Sequence, residues 1–457
     1  MITPEYLEMV APYNFWKREI DTGVWRSNYV DKILRIFTVP GIMASVTGVR
    51  RAGKTYICRQ VLRRQIEHGM KKEQTLYVNF EDPALHPHLS VTFLQDLYET
   101  YRHYLNPKDE TIIVLDEVQN VQGWEKWVRM MMETAENVKI MVTGSSSKIM
   151  SMELAPVLTG RHIDVRVYPL GFGEFLDFKQ VSVSNLDIRT REMEDGIREY
   201  LEYGGFPTTV LTRDMEMRKE YLKELFESII TRDVAARYGV RRIHELKTTV
   251  GLLLQNVSSM VSVPKLTNTL KSTGIKISPT TVNQYLHHFR ETLLFHYVPI
   301  FSYKVKDQMQ YPKKAYCIDT GLVNAASFRQ SENWGKLAEN TVAIELFRRY
   351  GIDNVFYWRD RGGKEVDFVV VENRSVRELI QVTWEMGEKK TREREFRAIL
   401  SAMEELSRDS ALILTRNAEE RIVIDGKDIV IFPLWKWLLQ ELPTMSQHRP
   451  PNNRDIT

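Results

Sequence analysis

Residues Gly48 to Thr55 read Gly-Val-Arg-Arg-Ala-Gly-Lys-Thr, and this short stretch decides the fold of the 457-residue chain. It follows the apolar run 42–46 directly and precedes the helix-like run 56–62. Glycines let backbone N–H groups turn toward phosphate oxygens, Lys54 suits the β- and γ-phosphates, and the Thr55 hydroxyl suits Mg²⁺. A glycine-rich turn can match by chance, but the strand before it and the helix after it favour a nucleotide site. The predicted nucleotide-binding residues are Gly48, Arg50, Arg51, Ala52, Gly53, Lys54, Thr55 and Tyr56.

A second motif is the continuous apolar run 111–115, which ends in Asp116 and Glu117. Such a run is typical of a strand that is buried on both faces. At the carboxyl end of this strand, Asp116 is predicted to hold Mg²⁺ together with Thr55, and Glu117 to polarise the attacking water. The alternative is that the two carboxylates merely open a loop. Together with the first motif, the pair favours hydrolysis of ATP over simple nucleotide storage.

Three further residues are candidates for roles at the γ-phosphate beside Glu117. The run 138–143 predicts a third strand, and Ser145 and Ser146 after it are candidate sensors of the γ-phosphate, although serine-rich turns are common for other reasons. Arg161 is a candidate to neutralise charge that develops on the γ-phosphate, within its own chain or in a neighbouring one. The alternative for Arg161 is a structural ion pair with a local carboxylate such as Asp164.

These motifs, with 77–82 as another strand end, resemble the AAA-type ATPases of the additional-strand P-loop class. More narrowly, the chain resembles prokaryotic ATP-binding proteins that join such an ATPase to a C-terminal domain of the PD-(D/E)xK nuclease type. The resemblance covers almost the whole chain. The segments that carry it are 116–119, 143–146, 158–161, 169–175 and 204–207.

The resemblance and the pattern of the chain together imply an α/β protein with a parallel P-loop NTPase sheet and several further domains. We expect N-terminal helices and a P-loop ATPase core at 1–170, a helical lid at 171–240, a winged-helix domain at 241–330, a degenerate PD-(D/E)xK-like domain of restriction-endonuclease-like α/β fold at 331–445, and a flexible tail at 446–457.

The winged-helix prediction depends on the segment 263–298. A helix over 263–270 is followed by a turn at Gly274 and by a second helix, with Ser278 as its cap and Pro279 at its first position. The run 293–298 then predicts the strand of the wing. Four polar side chains of the second helix are candidates to face a DNA groove, namely Asn283, Gln284, His287 and His288. The alternative is a module that only packs, since this helix has no Arg or Lys before Arg290.

The C-terminal segment departs from the active nuclease pattern. The resemblance implies Mg²⁺ ligands at Glu339, Asp367 and position 381, and a lysine at position 383 that helps to activate water. This chain has Gln381 and Thr383 at the last two places. Because one metal-binding charge and the lysine are both missing, we expect a domain that binds rather than cleaves.

Composition narrows the class of protein. The chain has 63 basic and 60 acidic residues, so its total charge does not decide for or against nucleic acid. It has two cysteines, no leader sequence and no apolar run of 18 residues, which predicts a cytoplasmic protein with no membrane partner. Its oligomeric state stays open.

Three functions remain open at this stage. The first is an ATP-driven conformational switch, with ATP and Mg²⁺ as cofactors, that acts on DNA, another nucleic acid or a protein partner. The second is a nuclease gated by ATP. The third is a DNA-binding regulator in which the nucleotide is structural. The residues favour the first.

Overall fold

The structure is a computed structural model, and it describes residues 2–135, 137–144, 158, 160–181, 190–326, 333–387 and 389–439. We divide these residues into an N-terminal unit up to residue 181, a middle unit of residues 190–326, and a C-terminal unit from residue 333. The predicted tail 446–457 lies outside the described residues. No described helix is both long and apolar enough to cross a membrane.

The N-terminal unit is built on a five-stranded parallel sheet with the strand order β2-β3-β4-β1-β5. The residues of β1 and β3 are buried throughout, as expected for strands that are covered on both faces. β4 lies between β1 and β3, so one strand separates the two motif strands. The bounds are β1 Met43–Gly48, β2 Thr75–Asn79, β3 Thr111–Asp116, β4 Val138–Gly144 and β5 His162–Val167.

Helices cover both faces of this sheet. α2 lies against α3, β1 and β5, while α1 lies against α4. The N-terminal helices therefore belong to this unit. The bounds are α1 Pro4–Val10, α2 Ser27–Phe37, α3 Lys54–Glu67, α4 Val91–Leu105, α5 Trp124–Thr134 and α6 Phe172–Phe178, with short 3₁₀ turns at Ala11–Tyr13, Lys72–Gln74, Pro83–His88 and Val118–Asn120.

The middle unit is mainly helical, with a small antiparallel sheet in the order β6-β8-β7. The two helices that the sequence predicted around Gly274 are both present. Ser278 caps the second, because its Oγ accepts a hydrogen bond from the N–H of Thr281 at 3.1 Å. The bounds are α7 Thr190–Tyr203, α8 Pro207–Leu211, α9 Met215–Ser228, a π-helix Ile229–Ala236, α10 Ile243–Gln255, β6 Ser259–Val261, α11 Val263–Ser272, α12 Pro279–Glu291, β7 Phe295–Val298, α13 Val305–Gln310, β8 Lys313–Cys317 and α14 Thr320–Ala326.

The C-terminal unit has a mixed six-stranded sheet in the order β13-β14-β12-β11-β10-β9. β9, β10 and β11 are antiparallel neighbours, β11, β12 and β14 are parallel neighbours, and β13 is antiparallel to β14. The bounds are α15 Trp334–Tyr350, a 3₁₀ turn Ile352–Asn354, β9 Val355–Arg359, β10 Glu365–Glu372, β11 Ser375–Val382, α16 Lys389–Glu405, β12 Ser410–Thr415, β13 Glu420–Ile424, β14 Lys427–Pro433 and α17 Leu434–Leu438.

The three units share one hydrophobic cluster, which includes Val46 in β1 and Trp437 in α17. Direct hydrogen bonds also cross the boundaries. The Arg348 guanidinium of α15 donates to the carbonyl of Pro169 at 3.0 Å, and the N–H of Leu170 donates to the carbonyl of Gly205 at 2.7 Å. The units are therefore held together by polar as well as apolar contacts.

Candidate functional site

The loop of residues 48–53 is pressed between strand β5 and the start of α3. A Cβ atom added to Gly48 would lie 2.3 Å from the carbonyl oxygen of Val167, so only glycine fits there. Gly53 has a φ of 99°, in the left-handed region that favours glycine, and α3 begins at the next residue. The first N–H groups of a helix have no partner within it and form its positive end. The loop therefore has the backbone of an anion site.

Four predicted residues from two distant segments meet at this loop. The Lys54 ammonium donates to the carbonyl of Gly48 at 3.1 Å and lies 3.8 Å from the Glu117 carboxylate. The Thr55 hydroxyl donates to Asp116 Oδ2 at 2.9 Å. The carboxyl ends of β1 and β3 thus bring a lysine, a hydroxyl and two carboxylates together.

Asp116 is buried and accepts hydrogen bonds from three hydroxyl groups, those of Thr55, Tyr77 and Thr143. They come from α3, β2 and β4. Burial, and then the charge of Asp116, raise the pKa of Tyr77 well above its usual value, which keeps that phenol protonated as a donor. Sequence reasoning missed both Tyr77 and Thr143. The only feature of the sequence that could have indicated them is their position near the carboxyl end of a predicted strand.

Glu117 is positioned by its neighbours on both sides. Its φ of 55° turns the chain directly after β3, and its N–H donates to the Thr143 hydroxyl at 3.0 Å. The Gln119 amide donates to Glu117 Oε2 at 2.5 Å. The carboxylate is thereby held beside Lys54.

Arg50 links the loop to the middle unit. Its guanidinium donates to both oxygens of Asp233 at 3.2 Å, and Asp233 is a buried residue of the π-helix. Arg50 also lies 3.6 Å from Glu81. A cleft of about 540 Å³ opens here, and Arg50, Arg51 and Arg232 are all in its lining. Three guanidinium groups make the cleft suited to an anionic ligand.

Arg26 also holds the loop in place. It is buried, its Nη1 donates to the carbonyl of Ala52 at 2.8 Å, and its Nη2 pairs with Glu174 at 2.7 Å. Burial raises the pKa of Glu174, but the positive charge of Arg26 lowers it, and the net result is a pKa below the usual value. Tyr56 is 42% exposed on α3, with the Arg59 guanidinium 5.3 Å from the centre of its ring. Arg26 carried no motif signal in the sequence.

The structure does not bring Arg161 to the loop within its own chain. Its carbonyl accepts a hydrogen bond from the N–H of Met43, at the start of β1, so Arg161 lies at the opposite edge of the sheet. Its guanidinium pairs with Glu133 at 2.6 Å, and not with Asp164, which accepts from the Thr47 hydroxyl instead. The sensor candidate Ser145, like Ser146, lies outside the described residues.

The polar face predicted for α12 is only partly available. Asn283, Gln284 and His287 are exposed. The fourth candidate, His288, is half-buried, and its ring stacks on Tyr238 with the ring centres 3.9 Å apart. Burial lowers the pKa of His288, which disfavours its charged form.

A second group of carboxylates lies where the middle and C-terminal units meet. Lys314 of β8 places its ammonium 2.9 Å from Glu339, 2.7 Å from Glu365 and 2.8 Å from Asp367. Burial and the charge of Asp367 raise the pKa of Glu339. Burial lowers the pKa of Lys314, but the charges of Asp367 and Glu339 outweigh it and hold that pKa above its usual value. Both pKa values are raised, because a single ammonium group lies among three carboxylates. We call these four residues the Lys314 cluster.

Gln381 belongs to the same region. Its side-chain carbonyl accepts from the N–H of Asp367 at 3.1 Å, and its amide donates to Glu395 at 2.7 Å. Glu339, Asp367 and Gln381 therefore lie in one region, where Lys314 contacts both carboxylates and Gln381 contacts the backbone of Asp367. Within the described ranges, no group of three or more His, Cys, Asp or Glu side chains has the arrangement of a metal site.

Comparisons with known proteins agree on the family. The chain is 36% identical over 425 residues to an uncharacterized protein of Methanocaldococcus jannaschii, covering 91% of this chain and 92% of that protein. It is 31% identical over 419 residues to an uncharacterized protein of Haemophilus influenzae, covering 91% and 98%. This chain belongs to the same family as these two proteins.

Three family models match successive parts of this chain. Residues 42–176 match an AAA domain, residues 194–333 match the domain of unknown function DUF8612, and residues 334–437 match DUF4143. The N-terminal unit has the α/β fold of a P-loop NTPase with a parallel sheet.

Solved structures are more distantly similar. A Walker-type ATPase of Pyrococcus abyssi is 14% identical with a TM-score of 0.46, covering 67% of this chain and 99% of that one. The ORC1 protein of Aeropyrum pernix, solved in complex with DNA, is 14% identical with a TM-score of 0.32, covering 66% and 92%.

Proposed function

We propose that this protein binds and hydrolyses ATP with Mg²⁺, and that the nucleotide drives a conformational switch that acts on a nucleic-acid or protein partner. The observation that carries the proposal is the meeting of Lys54, Thr55, Asp116 and Glu117 at the carboxyl edge of the parallel sheet. Lys54 is assigned to the phosphates and Glu117 to the attacking water.

The residues present fit a nucleotide and its metal ion. A tight glycine loop, the start of α3 and three arginines suit phosphate, while the Thr55 hydroxyl and the Asp116 carboxylate are oxygen donors of the kind that Mg²⁺ prefers. When bound, Mg²⁺ would neutralise charge on the phosphates. Tyr77 and Thr143 hold the Asp116 carboxylate in place, and the Gln119 amide orients Glu117.

We propose that Arg50 transmits the effect of nucleotide binding from the loop to the middle unit. This residue belongs to the loop that would hold the phosphates, yet it pairs with Asp233 of the middle unit. A phosphate group competes with Asp233 for the same guanidinium, so binding and release would change the contact between loop and π-helix. The predicted helical lid, residues 171–240, includes this π-helix.

For the partner, we propose that the middle unit acts as a winged helix and the C-terminal unit as a degenerate PD-(D/E)xK-like domain. Asn283, Gln284 and His287 on α12 are exposed and are the candidate contacts to DNA. The connection after β7 adds exposed Tyr303 and Lys304, a combination that suits stacking on bases and contact with phosphates. In the C-terminal unit, the mixed sheet and α15 are the proposed contact surface for the partner. A regulator that binds DNA through α12 around a structural nucleotide is the second candidate.

Nuclease activity is not proposed. Gln381 is neutral, Thr383 replaces the lysine, and the Lys314 ammonium is bound between Glu339 and Asp367. Each of these three features removes or blocks a part that metal-assisted cleavage needs.

The first test is steady-state ATP hydrolysis and ATP affinity in Lys54→Ala and Glu117→Gln. Lys54→Ala is expected to lose tight ATP binding. Glu117→Gln is expected to bind ATP normally but to hydrolyse it about 10² to 10⁴ times more slowly. Matched controls are Lys139→Ala and Glu110→Gln, which lie at the opposite edge of the sheet and should behave as the native protein does. Unchanged affinity in the first variant, or unchanged turnover in the second, contradicts the assignment.

The second test adds single-stranded DNA, duplex DNA and RNA at two salt concentrations. Stimulation of ATP hydrolysis by one of them, weakened by salt and absent in Glu117→Gln, supports a nucleic-acid partner. If the rate of ATP hydrolysis depends on Glu117 but none of the three nucleic acids changes it, the partner is to be sought among proteins. Tight duplex binding that is unaffected by nucleotide favours the regulator.

A further inference from the structure

Arg26 is a buried arginine outside the sequence motif of the loop, and its guanidinium joins three segments of the chain. Nη1 donates to the carbonyl of Ala52 at 2.8 Å, and Nη2 donates to the carbonyl of Tyr168, just after β5, at 3.1 Å. Nε and Nη2 both donate to the Glu174 carboxylate of α6 at 2.7 Å. A guanidinium is a planar fork of fixed geometry. These bonds therefore fix the loop relative to β5 and α6.

The bond from Arg26 takes an acceptor away from helix α3. In a regular α-helix the carbonyl of Ala52 would accept from the N–H of Tyr56, four residues later. Here that carbonyl accepts from Arg26 instead, and the first carbonyl of the helical ladder is that of Gly53. Within the described ranges of the chain, the four successive N–H groups of residues 53–56 have no acceptor. These four donors are therefore available to a ligand of the loop.

The same bond sets the direction of the peptide unit between Ala52 and Gly53. This unit is planar and trans, so its carbonyl oxygen and its N–H point to opposite sides. Because the carbonyl is held on Arg26, the N–H of Gly53 points away from that guanidinium. Helix α3 begins at the next residue, and the N–H groups of its first turn form its positive end. Arg26 thus fixes the orientation of a group of donors that suits an anion.

Glu174 keeps the guanidinium in this place. A buried arginine is costly unless it is paired, and a bidentate pair with a carboxylate is among the strongest contacts available to it. Glu174 itself accepts a hydrogen bond from the N–H of Gly171 at 2.9 Å. Arg348 of α15 packs on this turn, since a Cβ atom added to Gly171 would lie 3.1 Å from its Nη1. The C-terminal unit therefore backs the segment that holds Arg26.

We propose that Arg26 is a positioning residue for the nucleotide, because it takes the Ala52 carbonyl and so leaves the N–H groups of residues 53–56 to the phosphates. It acts through the loop and is not assigned a contact with the nucleotide itself. Without the guanidinium, the N–H of Tyr56 would bond to the Ala52 carbonyl, and the peptide before Gly53 would be free to turn. The proposal rests on the proposed binding of ATP at this loop and adds a residue from outside its motif.

The experiment measures steady-state ATP hydrolysis and pyrophosphate affinity in the full-length protein with Arg26→Met. Hydrogen bonds to phosphates that are made equally in the ground state and the transition state change KM and not kcat. The KM for ATP and the Kd for pyrophosphate are expected to rise about tenfold or more, while kcat stays within about threefold of the native value. Arg63→Met is the matched control, because Arg63 pairs with Glu19 and lies over the ring of Phe15, and it should keep the native KM.

Two further variants separate positioning from stability. Arg26→Met leaves the Glu174 carboxylate buried without its partner, which is destabilising. The double variant of Arg26→Met and Glu174→Met replaces both charges with apolar side chains, an exchange that is often neutral for stability, and it should show the same rise in KM and Kd. In Arg26→Ala, millimolar methylguanidinium supplies the missing planar fork and should restore pyrophosphate affinity, whereas the same concentration of NaCl should not.

A native KM and a native Kd in the folded double variant overturn the proposal. A loss of kcat with unchanged KM also overturns it, because that is the result of a purely structural role. The proposed hydrolysis fails separately: if the native protein binds pyrophosphate but does not turn over ATP, hydrolysis is contradicted and the Kd values still decide the role of Arg26. A native protein that binds neither ligand overturns both.

Discussion

Two buried aspartates show how a single residue can be stabilised in different ways. Asp116 accepts from three side-chain hydroxyls at the candidate nucleotide site. Asp319 accepts instead from three backbone N–H groups, those of Gly205, Gly321 and Leu322. Burial raises the pKa of Asp319 to about 6, although these backbone donors lower it in part. Asp319 is therefore a group whose ionisation changes stability in the mildly acidic range, below its folded pKa of about 6.

We predict that Asp319 makes a pH-dependent contribution to the free energy of unfolding. Its folded pKa of about 6 lies above the unfolded value, so between pH 4 and 6 the folded state binds more protons. Its contribution therefore falls as the pH rises through this window, by up to roughly 3 kcal/mol, and is constant above it. Chemical denaturation of the native protein and of Asp319→Asn at pH 4.5 and 7 measures the difference. A difference between the two proteins that does not change with pH contradicts the prediction.

At the scale of elements, the π-helix Ile229–Ala236 connects the loop of residues 48–53 to the middle unit. π-Helical turns are rare in proteins, and those that do occur are often found at functional sites. This one places Asp233 against Arg50, and it continues α9 toward α10. An element of this kind is expected to respond to the ligand of the loop.

We predict that a non-hydrolysable ATP analogue changes amide hydrogen exchange in residues 229–236 by about threefold or more, because exchange reports local opening. Arg50→Ala should abolish this change while the analogue remains bound at saturating concentration. Arg64→Ala, an exposed arginine of α3, is the matched control. The same response in Arg50→Ala as in the native protein would remove Arg50 as the link.

At the scale of the whole molecule, a glycine-rich junction holds the units together. The carbonyl of Gly205 accepts from Leu170 of the N-terminal unit at 2.7 Å, while its N–H donates to Asp319 near the end of the middle unit. A Cβ atom at Gly205 would lie 2.3 Å from the carbonyl oxygen of Leu170. A backbone atom cannot move aside cheaply, so the junction requires glycine.

We predict that Gly205→Ala lowers the free energy of unfolding by roughly 3 kcal/mol, as overpacking does in cores. Gly251→Ala in α10 is the matched control, because a Cβ atom there meets nothing within 4 Å. That control should raise helix stability by about 0.5–1 kcal/mol. Urea denaturation measures both. Equal stability of the two variants would show that the junction tolerates a side chain.

The sequence by itself determined the local features of this protein. The glycine loop before α3, the buried strand that ends in Asp116 and Glu117, and the helix capped by Ser278 were all predicted. Each depends on residues that are close in the chain, through hydrophobic periodicity, glycine conformation and capping. The P-loop NTPase fold of the N-terminal unit follows from these features.

Only the tertiary structure decided which distant residues meet. Arg50 and Asp233 are 183 positions apart, and Lys314 and Asp367 are 53 positions apart, so no local pattern links them. The same reason explains the placements of His288 against Tyr238 and of Arg161 at the far edge of the sheet. A side chain that a helical pattern or a loop leaves exposed can be paired or covered once a segment distant in the chain packs beside it. Burial and charge pairing between units are properties of the packed molecule, and they are what place Lys314 among its three carboxylates.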